Sequence, residues 1–314
     1  MSKAPTIAFL SSQIEMGYLL PSFQAQFPGA DLRLTKELGA LDEIDAAVCW
    51  YPPEGLLARM PKLQLVQSVG AGIDHITLDP ALPAVPVCRI VDTDMASGMS
   101  AYVTWAVIQH QRSMGSYIAN AAARRWQEQP VVPPRLHRVG IAGLGTLGLA
   151  CARALQTLGY SVRGWSRSPK TELPAGVESF HGDAGRAAFL AGCDTLVCLL
   201  PLTEETRGFL CTELFAQLPR GAHLINVGRG AHLVEADLLQ ALADGTLGAA
   251  TLDALTQEPL PADHPFWQDP RILVTPHIAT RTHPSVIARQ THDNLLQIRS
   301  GRAAAVAVDL TRGY

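Results

Sequence analysis

Residues 138–148 read R-V-G-I-A-G-L-G-T-L-G, an apolar run that leads through a glycine-rich turn into a helical stretch. Gly143, Gly145 and Gly148 fit the pattern G-x-G-x-x-G, which is a weak signal on its own. Here a strand precedes the turn, a helix follows it and another strand is expected at 161–165, as a dinucleotide-binding βαβ unit requires. Gly143 would permit the tight turn, Gly145 the close approach of a pyrophosphate, and Gly148 the packing of helix against strand.

The end of the next strand indicates which dinucleotide binds. Residues 161–170 read S-V-R-G-W-S-R-S-P-K. Ser166 stands where an acidic residue would bond the ribose 2′-hydroxyl of NAD, and Arg167 and Ser168 follow it. A carboxylate would repel a 2′-phosphate, whereas an arginine and two hydroxyls would bind one. We therefore expect NADP(H) to be preferred, with NAD as a possible second cofactor.

Short apolar runs alternate with helical stretches on both sides of this unit. Strands are expected first at 5–11, 45–50, 63–69 and 85–91, and then at 138–142, 161–165, 195–199, 222–227, 248–253 and 272–274. This alternation predicts an α/β protein with two Rossmann-like parallel-sheet domains. We expect one flavodoxin-like substrate domain and one doubly wound NAD(P)-binding domain.

The order of helices predicts that the substrate domain is discontinuous. A long helix is expected at about 97–125, before the glycine-rich turn, and a helical pattern returns at about 285–299, after the last strand. We therefore assign residues 1–96 and 284–314 to the substrate domain and residues 97–283 to the dinucleotide-binding domain.

Composition narrows the class of protein. The chain has 314 residues, of which 47% are hydrophobic, and its net charge is -3. This length allows about two domains, and the charge does not predict nucleic-acid binding, which needs a clustered basic face. No apolar run is long enough for a signal peptide or a membrane span, so we expect a cytoplasmic protein without membrane contact.

Cysteines and histidines show no metal-binding pattern. The six cysteines form no C-x-x-C pair, so free buried thiols are expected and a disulfide framework is not. We expect no metal and assign no role to the histidines at 75, 110, 137, 181, 223, 232, 264, 283 and 292.

Three polar segments follow predicted parallel strands at their carboxyl ends, where ligands bind in this architecture. They are N-V-G-R-G at 226–230, E-P-L-P at 258–261 and P-H-I-A at 276–279, which carry Arg229, Glu258 and His277. Alone, the histidine could be structural and the glutamate a surface acid, but together the three side chains predict a catalytic set.

The whole chain resembles the D-isomer-specific 2-hydroxyacid dehydrogenase family, and within it the glyoxylate/hydroxypyruvate reductase group of bacteria. The resemblance rests on the segments above and on further motifs, namely V-G-A-G-I-D at 69–74, L-G-T-L-G at 144–148, W-S-R at 165–167, L-P-L-T at 200–203 and R-G-Y at 312–314. It implies a reductase of small 2-keto acids such as glyoxylate and hydroxypyruvate. It also implies a homodimer with the helix at 97–123 in the interface.

The resemblance implies that Arg229, Glu258 and His277 are catalytic, and the chemistry agrees. A 2-keto acid receives a hydride from the cofactor and a proton on its carbonyl oxygen, and a histidine titrates in the range suited to give that proton. A carboxylate beside His277 favours the protonated imidazole that this step needs. Arg229 is expected to bind the substrate carboxylate and to polarise the ketone.

Other residues are expected to bind substrate or cofactor. The loop after the third strand can form an anion-binding nest, and related reductases carry a substrate-facing tryptophan like Trp50. By resemblance, Asp253 contacts the nicotinamide side of the cofactor. The expected substrate-binding residues are Trp50, Val69, Gly70, Ala71 and Gly72. The expected cofactor-binding residues are Gly143, Leu144, Gly145, Thr146, Leu147, Gly148, Ser166, Arg167, Ser168, Leu200, Pro201, Val227, Gly228, Asp253 and Ala279.

Two other functions remain open from the sequence. A phosphoglycerate dehydrogenase-like enzyme shares the fold, but the lack of an acid at Ser166 argues against its usual NAD; a formate dehydrogenase fits less well. A catalytically silent sensor or corepressor-like protein could bind the dinucleotide without turnover. The physiological keto acid and the direction of reaction are also open. Arg281 and His283 are expected near the mouth of the site, which leaves the size and charge of the substrate open as well.

Overall fold

The computed structural model describes residues 4–308, and it begins with a parallel sheet. The elements are β1 (Thr6–Ser11), α1 (Leu20–Gln26), β2 (Asp31–Leu34), β3 (Ala46–Trp50), β4 (Leu65–Ser68), α2 (Asp74–Thr77) and β5 (Val87–Cys88). Within the described residues, these strands form a sheet in the order β2-β1-β3-β4-β5. This is the flavodoxin-like order. The inner strands are buried on both faces, as the uninterrupted apolar run of β1 predicts.

A second parallel sheet follows two helices. The elements are α3 (Thr93–Gln111), α4 (Met114–Ala122), β6 (Arg138–Ala142), α5 (Thr146–Thr157), β7 (Ser161–Ser166), β8 (Glu178–His181), α6 (Gly182–Leu190), β9 (Thr195–Cys198), α7 (Thr212–Phe215), β10 (Ala222–Asn226), α8 (Glu235–Ala243), β11 (Leu247–Leu252), β12 (Ile272–Val274) and α9 (Pro284–Arg299). In the described part of the chain the strand order is β12-β11-β10-β9-β6-β7-β8. This is a doubly wound sheet with its switch point between β6 and β9. The predicted α/β class is confirmed.

Short 3-10 turns connect several of these elements. They lie at Gly17–Leu19, Leu41–Glu43, Leu57–Arg59, Pro134–Leu136, Gly230–His232 and Pro265–Gln268.

Three local predictions were wrong. Strands β2 and β8 were not predicted, and each is one of the two outer strands of its sheet. Both are short and largely exposed or half-buried, so neither has the apolar run that marks an inner strand. The single helix predicted at 97–125 is two helices, because Ser113 adopts a left-handed backbone conformation with φ of 53° between α3 and α4.

The described chain divides into two compact units. One contains the residues up to Thr93 and those from Arg281 onward, and the other contains Asp94–Thr280. In the first unit α9 packs against α1 and β4. The Gln290 amide donates to the Val91 carbonyl at 2.7 Å, and the Asn294 amide donates to Gln67 Oε1 at 2.9 Å. The motif R-G-Y at 312–314 and the outer ends of the predicted substrate domain lie outside the described residues.

The cysteines are free, as predicted, and five of the six are buried. Burial raises the pKa of Cys88, Cys151, Cys193 and Cys198 to about 12, and it also raises that of Cys49. Cys211 is half-buried. None of the described helices is long and apolar enough to cross a bilayer.

Three histidines lie close together in the second unit, and we call His110, His137 and His223 the histidine group. His223 is buried, whereas His110 and His137 are half-buried. The rings of His110 and His223 stack with centroids 4.2 Å apart. His223 Nε2 lies 3.0 Å from Thr251 Oγ1, and His137 Nε2 lies 2.9 Å from a second threonine hydroxyl, that of Thr195. Burial and the nearby His137 lower the pKa of His110 to about 4. Burial also lowers the pKa values of the other two members, that of His223 most strongly.

Candidate active site

A histidine–carboxylate pair lies beyond the carboxyl ends of β11 and β12. His277 Nδ1 lies 2.9 Å from Glu258 Oε2 and 3.1 Å from Oε1. About a quarter of each side chain is exposed, 27% for the histidine and 26% for the glutamate. A carboxylate only accepts hydrogen bonds, so Nδ1 carries the proton. The structure thus brings together the two residues that the sequence selected.

Glu258 is held in its ionised form. Burial alone would raise the pKa of this carboxyl, but the hydrogen bond and charge of His277 oppose it, as do the 2.9 Å hydrogen bond from the Leu255 N–H and the charge of Arg229. The net result is a pKa below the usual range. At neutral pH the His277 imidazole therefore faces the negative charge of Glu258.

Asp253 shapes the loop that carries His277. Its buried carboxylate accepts hydrogen bonds from the Thr275 hydroxyl at 2.7 Å and from the Ile278 and Ala279 N–H groups at 2.8 Å each. Its carbonyl accepts from the His277 N–H at 3.0 Å. These bonds hold His277 in a left-handed conformation with φ of 51°, which residues other than glycine rarely adopt. Asp253 therefore orients this loop, and its expected contact with the nicotinamide stays a prediction.

Tyr102 on α3 extends this network, and the sequence analysis did not select it. Its hydroxyl lies 2.5 Å from Thr275 Oγ1. Burial raises the pKa of Tyr102 to about 12, against the opposing effect of the Thr275 hydrogen bond. The neutral phenol therefore supports the threonine that donates to Asp253. Only the fold brings α3 beside β12, so no sequence pattern marks this residue.

Arg229 lies in a tight turn after β10. Its carbonyl accepts from the Asn226 amide at 2.9 Å, its N–H donates to His232 Nδ1 at 3.0 Å, and its guanidinium donates to the Gly228 carbonyl at 2.9 Å. A Cβ added to Gly230 would clash with the backbone of Leu255, so this glycine permits the close approach of the Arg229 and Glu258 segments. The guanidinium lies near enough to Glu258 for its charge to lower that carboxyl's pKa.

The glycine-rich turn fits a dinucleotide. Gly143 has φ of 108°, and an added Cβ would lie 2.6 Å from the Leu199 carbonyl oxygen. A Cβ on Gly148 would clash with the Gly143 carbonyl, whereas one on Gly145 would meet nothing within 4 Å. No side chain caps α5, which begins at Thr146. The open space at Gly145, beside a helix N-terminus, suits a pyrophosphate.

Other predicted cofactor residues divide into buried and exposed ones. Leu144 is 2% exposed and packs on Gly164, so its side chain belongs to the core. Ser166 is also buried, and its hydroxyl donates to the Ser168 carbonyl at 2.9 Å rather than pointing to solvent. Arg167 is exposed directly after β7. A phosphate contact there would rest on Arg167 more than on Ser166. The side chains of Leu200, Val227 and Ala279 are buried.

The predicted substrate residues of the first unit follow β3 and β4. The Val69 N–H donates to the Cys49 carbonyl at 3.3 Å, and the Gly70 N–H donates to Ser68 Oγ at 3.1 Å. An anion nest in this loop would therefore rest on Ala71 and Gly72.

Trp50 is half-buried in an aromatic cluster with two residues that the sequence analysis gave no role. Its ring centroid lies 4.7 Å from that of His75 and 5.3 Å from that of Tyr51.

His283, expected near the site, caps α9 by accepting a hydrogen bond from the Ser285 N–H at 3.3 Å. The described residues contain no group of three or more histidine, cysteine or acidic side chains placed to hold a metal.

A doubly wound sheet with a glycine-rich first turn, and a histidine–carboxylate pair beyond neighbouring strands, defines a nicotinamide-dependent dehydrogenase. Comparison with known proteins makes the assignment specific. Residues 104–279 match the model for the NAD binding domain of the D-isomer specific 2-hydroxyacid dehydrogenases. The chain belongs to this family, which confirms the resemblance found in the sequence.

Curated relatives are similar along most of their length. The chain is 45% identical to a glyoxylate/hydroxypyruvate reductase A of Serratia proteamaculans (strain 568), over 86% of this chain and 88% of the relative. It is 40% identical to a protein of the same name from Yersinia enterocolitica, over 98% of this chain and 99% of that one.

Solved structures are similar over the whole chain. One is a D-isomer specific 2-hydroxyacid dehydrogenase from Xanthobacter autotrophicus Py2 in complex with NADPH and MES, with a TM-score of 0.90, 39% identity and coverage of 99% and 100% of the two chains. Another is an NADPH-dependent glyoxylate/hydroxypyruvate reductase from Sinorhizobium meliloti in complex with NADP and sulfate, with a TM-score of 0.90, 36% identity and the same coverage.

Proposed function

We propose that this protein is an NADPH-dependent reductase that converts glyoxylate and hydroxypyruvate to the corresponding 2-hydroxy acids. The observation that carries the proposal is the His277–Glu258 pair, with the Arg229 guanidinium close enough for its charge to lower the pKa of Glu258. The names of the relatives support the substrate class, and the cofactors of the two solved structures support NADP(H).

The residues divide the reaction between them. A nicotinamide held by the second unit would supply the hydride for the carbonyl carbon. His277 delivers a proton from Nε2 to the carbonyl oxygen, since its Nδ1 is bonded to Glu258. Arg229 binds the substrate carboxylate and stabilises negative charge on the oxygen as the hydride arrives. Hydride and proton together complete the 2-hydroxy acid, and Glu258 stabilises the imidazolium from which the proton leaves.

The two units take different parts of this work. We assign substrate contacts to Trp50 and to the loop at 69–72 in the first unit. We assign the cofactor to the second unit, where the turn at 143–148 holds the pyrophosphate and Arg167 the 2′-phosphate. The predicted boundaries, residues 1–96 and 284–314 against residues 97–283, follow the same division.

The test is oxidation of NADPH with glyoxylate, hydroxypyruvate and 3-phosphohydroxypyruvate, for the wild type and for His277→Asn. Asparagine tolerates a left-handed backbone, so this variant keeps the loop while removing the acid. We expect turnover with the first two substrates, and loss of about 10²–10⁴-fold in kcat for the variant with NADPH affinity retained. Binding of NADPH without turnover would support a sensor instead. Preference for the phosphorylated substrate with NADH would support a phosphoglycerate dehydrogenase-like enzyme.

A homodimer is the proposed assembly. Several large apolar side chains on α3, α4 and the segment after them are exposed in the single chain, namely Trp105, Ile118, Trp126, Val131 and Leu136. Trp126 is 98% exposed, which fits a surface that a second copy covers. Light scattering at micromolar concentration is expected to give the mass of two chains for the wild type, and the mass of one chain for Ile118→Lys.

We also propose a cytoplasmic location, which the free buried thiols favour.

A further inference from the structure

His232 is a buried histidine outside the proposed catalytic set. It ends the 3-10 turn Gly230–His232, three residues after Arg229, and its side chain is 0% exposed. The sequence offered no reason to give it a role. Its ring nevertheless lies between the two loops that follow the neighbouring strands β9 and β10.

The two ring nitrogens of His232 have different partners. Nδ1 accepts a hydrogen bond from the Arg229 N–H at 3.0 Å, and Nε2 lies 3.2 Å from the Pro201 carbonyl oxygen. A neutral imidazole has one donor and one acceptor. Because the backbone N–H can only donate and the carbonyl can only accept, a single tautomer satisfies both contacts, with the proton on Nε2.

Two buried side chains form hydrogen bonds with the backbone of Arg229, one with its N–H and one with its carbonyl. His232 accepts from the N–H, and the Asn226 amide donates to the carbonyl at 2.9 Å. Asn226 is also 0% exposed. Gly228 makes room for the ring, since an added Cβ would lie 2.9 Å from His232 Nδ1. The backbone that presents the guanidinium is therefore fixed by groups that do not themselves reach the reacting atoms.

We propose that His232 is a positioning residue for Arg229, acting through the hydrogen bond that its Nδ1 accepts from the Arg229 N–H. This inference rests on the proposed reductase function. The contact of Nε2 with the Pro201 carbonyl fixes the tautomer in which Nδ1 can accept this bond. The residue whose backbone the ring holds is the arginine proposed to bind the keto acid. A shift of about 1 Å in such a group costs about 10²-fold in rate.

Two substitutions of His232 test its two contacts one at a time, because each variant keeps only one of them. The amide of His232→Asn reaches the position of Nδ1 and retains an acceptor for the Arg229 N–H. The longer side chain of His232→Gln reaches toward the Pro201 carbonyl but places no acceptor at Nδ1. For glyoxylate we expect His232→Gln to lower kcat/KM by about 10- to 100-fold. We expect His232→Asn to stay within about 3-fold of wild type, and NADPH affinity to change less than about 3-fold in both.

A double-mutant cycle distinguishes positioning from a merely structural role. If His232 acts through Arg229, adding His232→Gln to Arg229→Lys costs less than about 2-fold beyond the single Arg229→Lys change. If the histidine only stabilises the fold, the two losses in kcat/KM multiply and thermal stability falls. Multiplied losses, or a His232→Gln variant as active as wild type, would overturn the proposal.

A measurement on the wild type does not depend on the folding of any variant. Nitrogen NMR of histidine-labelled protein is expected to show His232 as the neutral tautomer protonated on Nε2, whereas an Nδ1-protonated or charged ring would overturn the proposal. An unmodified enzyme that binds NADPH but reduces neither keto acid would overturn the reductase function and this inference with it. Normal turnover with an unaffected His232→Gln variant overturns the inference alone.

Discussion

Acidification is expected to destabilise the second unit through the histidine group. The perturbation is a fall from pH 7.5 to pH 5, compared between the wild type and His110→Phe. Phenylalanine keeps a flat ring against His223, where the histidine rings stack at 4.2 Å, but it has no proton to bind. The substitution therefore removes one titrating group while the stacked geometry is retained.

The sign and size follow from the pKa of His110, which lies at about 4 in the folded protein against 6.5 for an ordinary histidine. Above pH 6.5 both the folded and unfolded chains carry the neutral ring, so pH has no effect through this group. Below pH 6.5 the unfolded chain binds a proton that the folded chain does not, so stability is lost until about pH 4. At pH 5 the loss through His110 is about 2 kcal/mol.

His137 and His223 are also expected to destabilise the folded protein as the pH falls. The pKa values of His137 and His223 are lowered mainly by burial, and Asp194, which is paired with Arg138, opposes this only in part at His137. These two rings remain in the His110→Phe variant, so it should keep part of the pH dependence. The expected difference is the contribution of His110 alone.

The assay is urea unfolding at pH 7.5, 6.0 and 5.0 at one protein concentration, followed by circular dichroism. The wild type should lose about 2 kcal/mol more than His110→Phe between the highest and lowest pH. The control is His181→Phe, which makes the same change at an exposed histidine on β8 and should follow the wild type. Equal losses in wild type and His110→Phe would refute the reasoning, because the His110 ring would then not distinguish the two states.

Three further predictions concern the proposed active site. Glu258→Gln removes the negative charge beside His277, so reduction should slow by about 10-fold or more and its decline at alkaline pH should move to lower pH; an unchanged pH–rate profile would remove Glu258 from the mechanism. Arg167→Ala should reduce the preference for NADPH over NADH by about 10- to 150-fold, and Ser166→Asp should reverse it, as measured by kcat/KM with each cofactor; an unmoved ratio in Arg167→Ala would contradict this. Gly145→Ala should leave the melting temperature unchanged and weaken NADPH binding by about 10-fold, because a Cβ there meets only the space for the pyrophosphate, and calorimetric titration showing unaltered binding would count against that placement.

Sequence patterns predicted the inner strands of both sheets because buried parallel strands are continuous apolar runs. The same rule could not find β2 and β8, since these two edge strands are largely exposed or half-buried and show no such run. The helix break at Ser113 was missed for another reason. A left-handed residue there changes the direction of the backbone without changing its apolar composition.

The motifs located the catalytic side chains but not what holds them. Arg229, Glu258 and His277 lie in recognisable segments at strand ends. The supporting bonds of Asp253, Tyr102 and His232 join segments far apart in the chain or depend on which ring nitrogen carries the proton. Such contacts arise from the packing of the folded units, so spacing along the chain does not reveal them.

The buried thiols give each unit its own internal reporter of local opening. Cys49 and Cys88 belong to the first unit, and Cys151, Cys193 and Cys198 to the second. A buried thiol with a raised pKa is nearly inert to alkylation and reacts only when the surrounding structure opens. The alkylation rate at each cysteine, measured by peptide mass spectrometry, would therefore report how often each of the two units opens, without any substitution in the chain. Bound cofactor should slow the alkylation of the three cysteines of the second unit more than that of the two cysteines of the first unit.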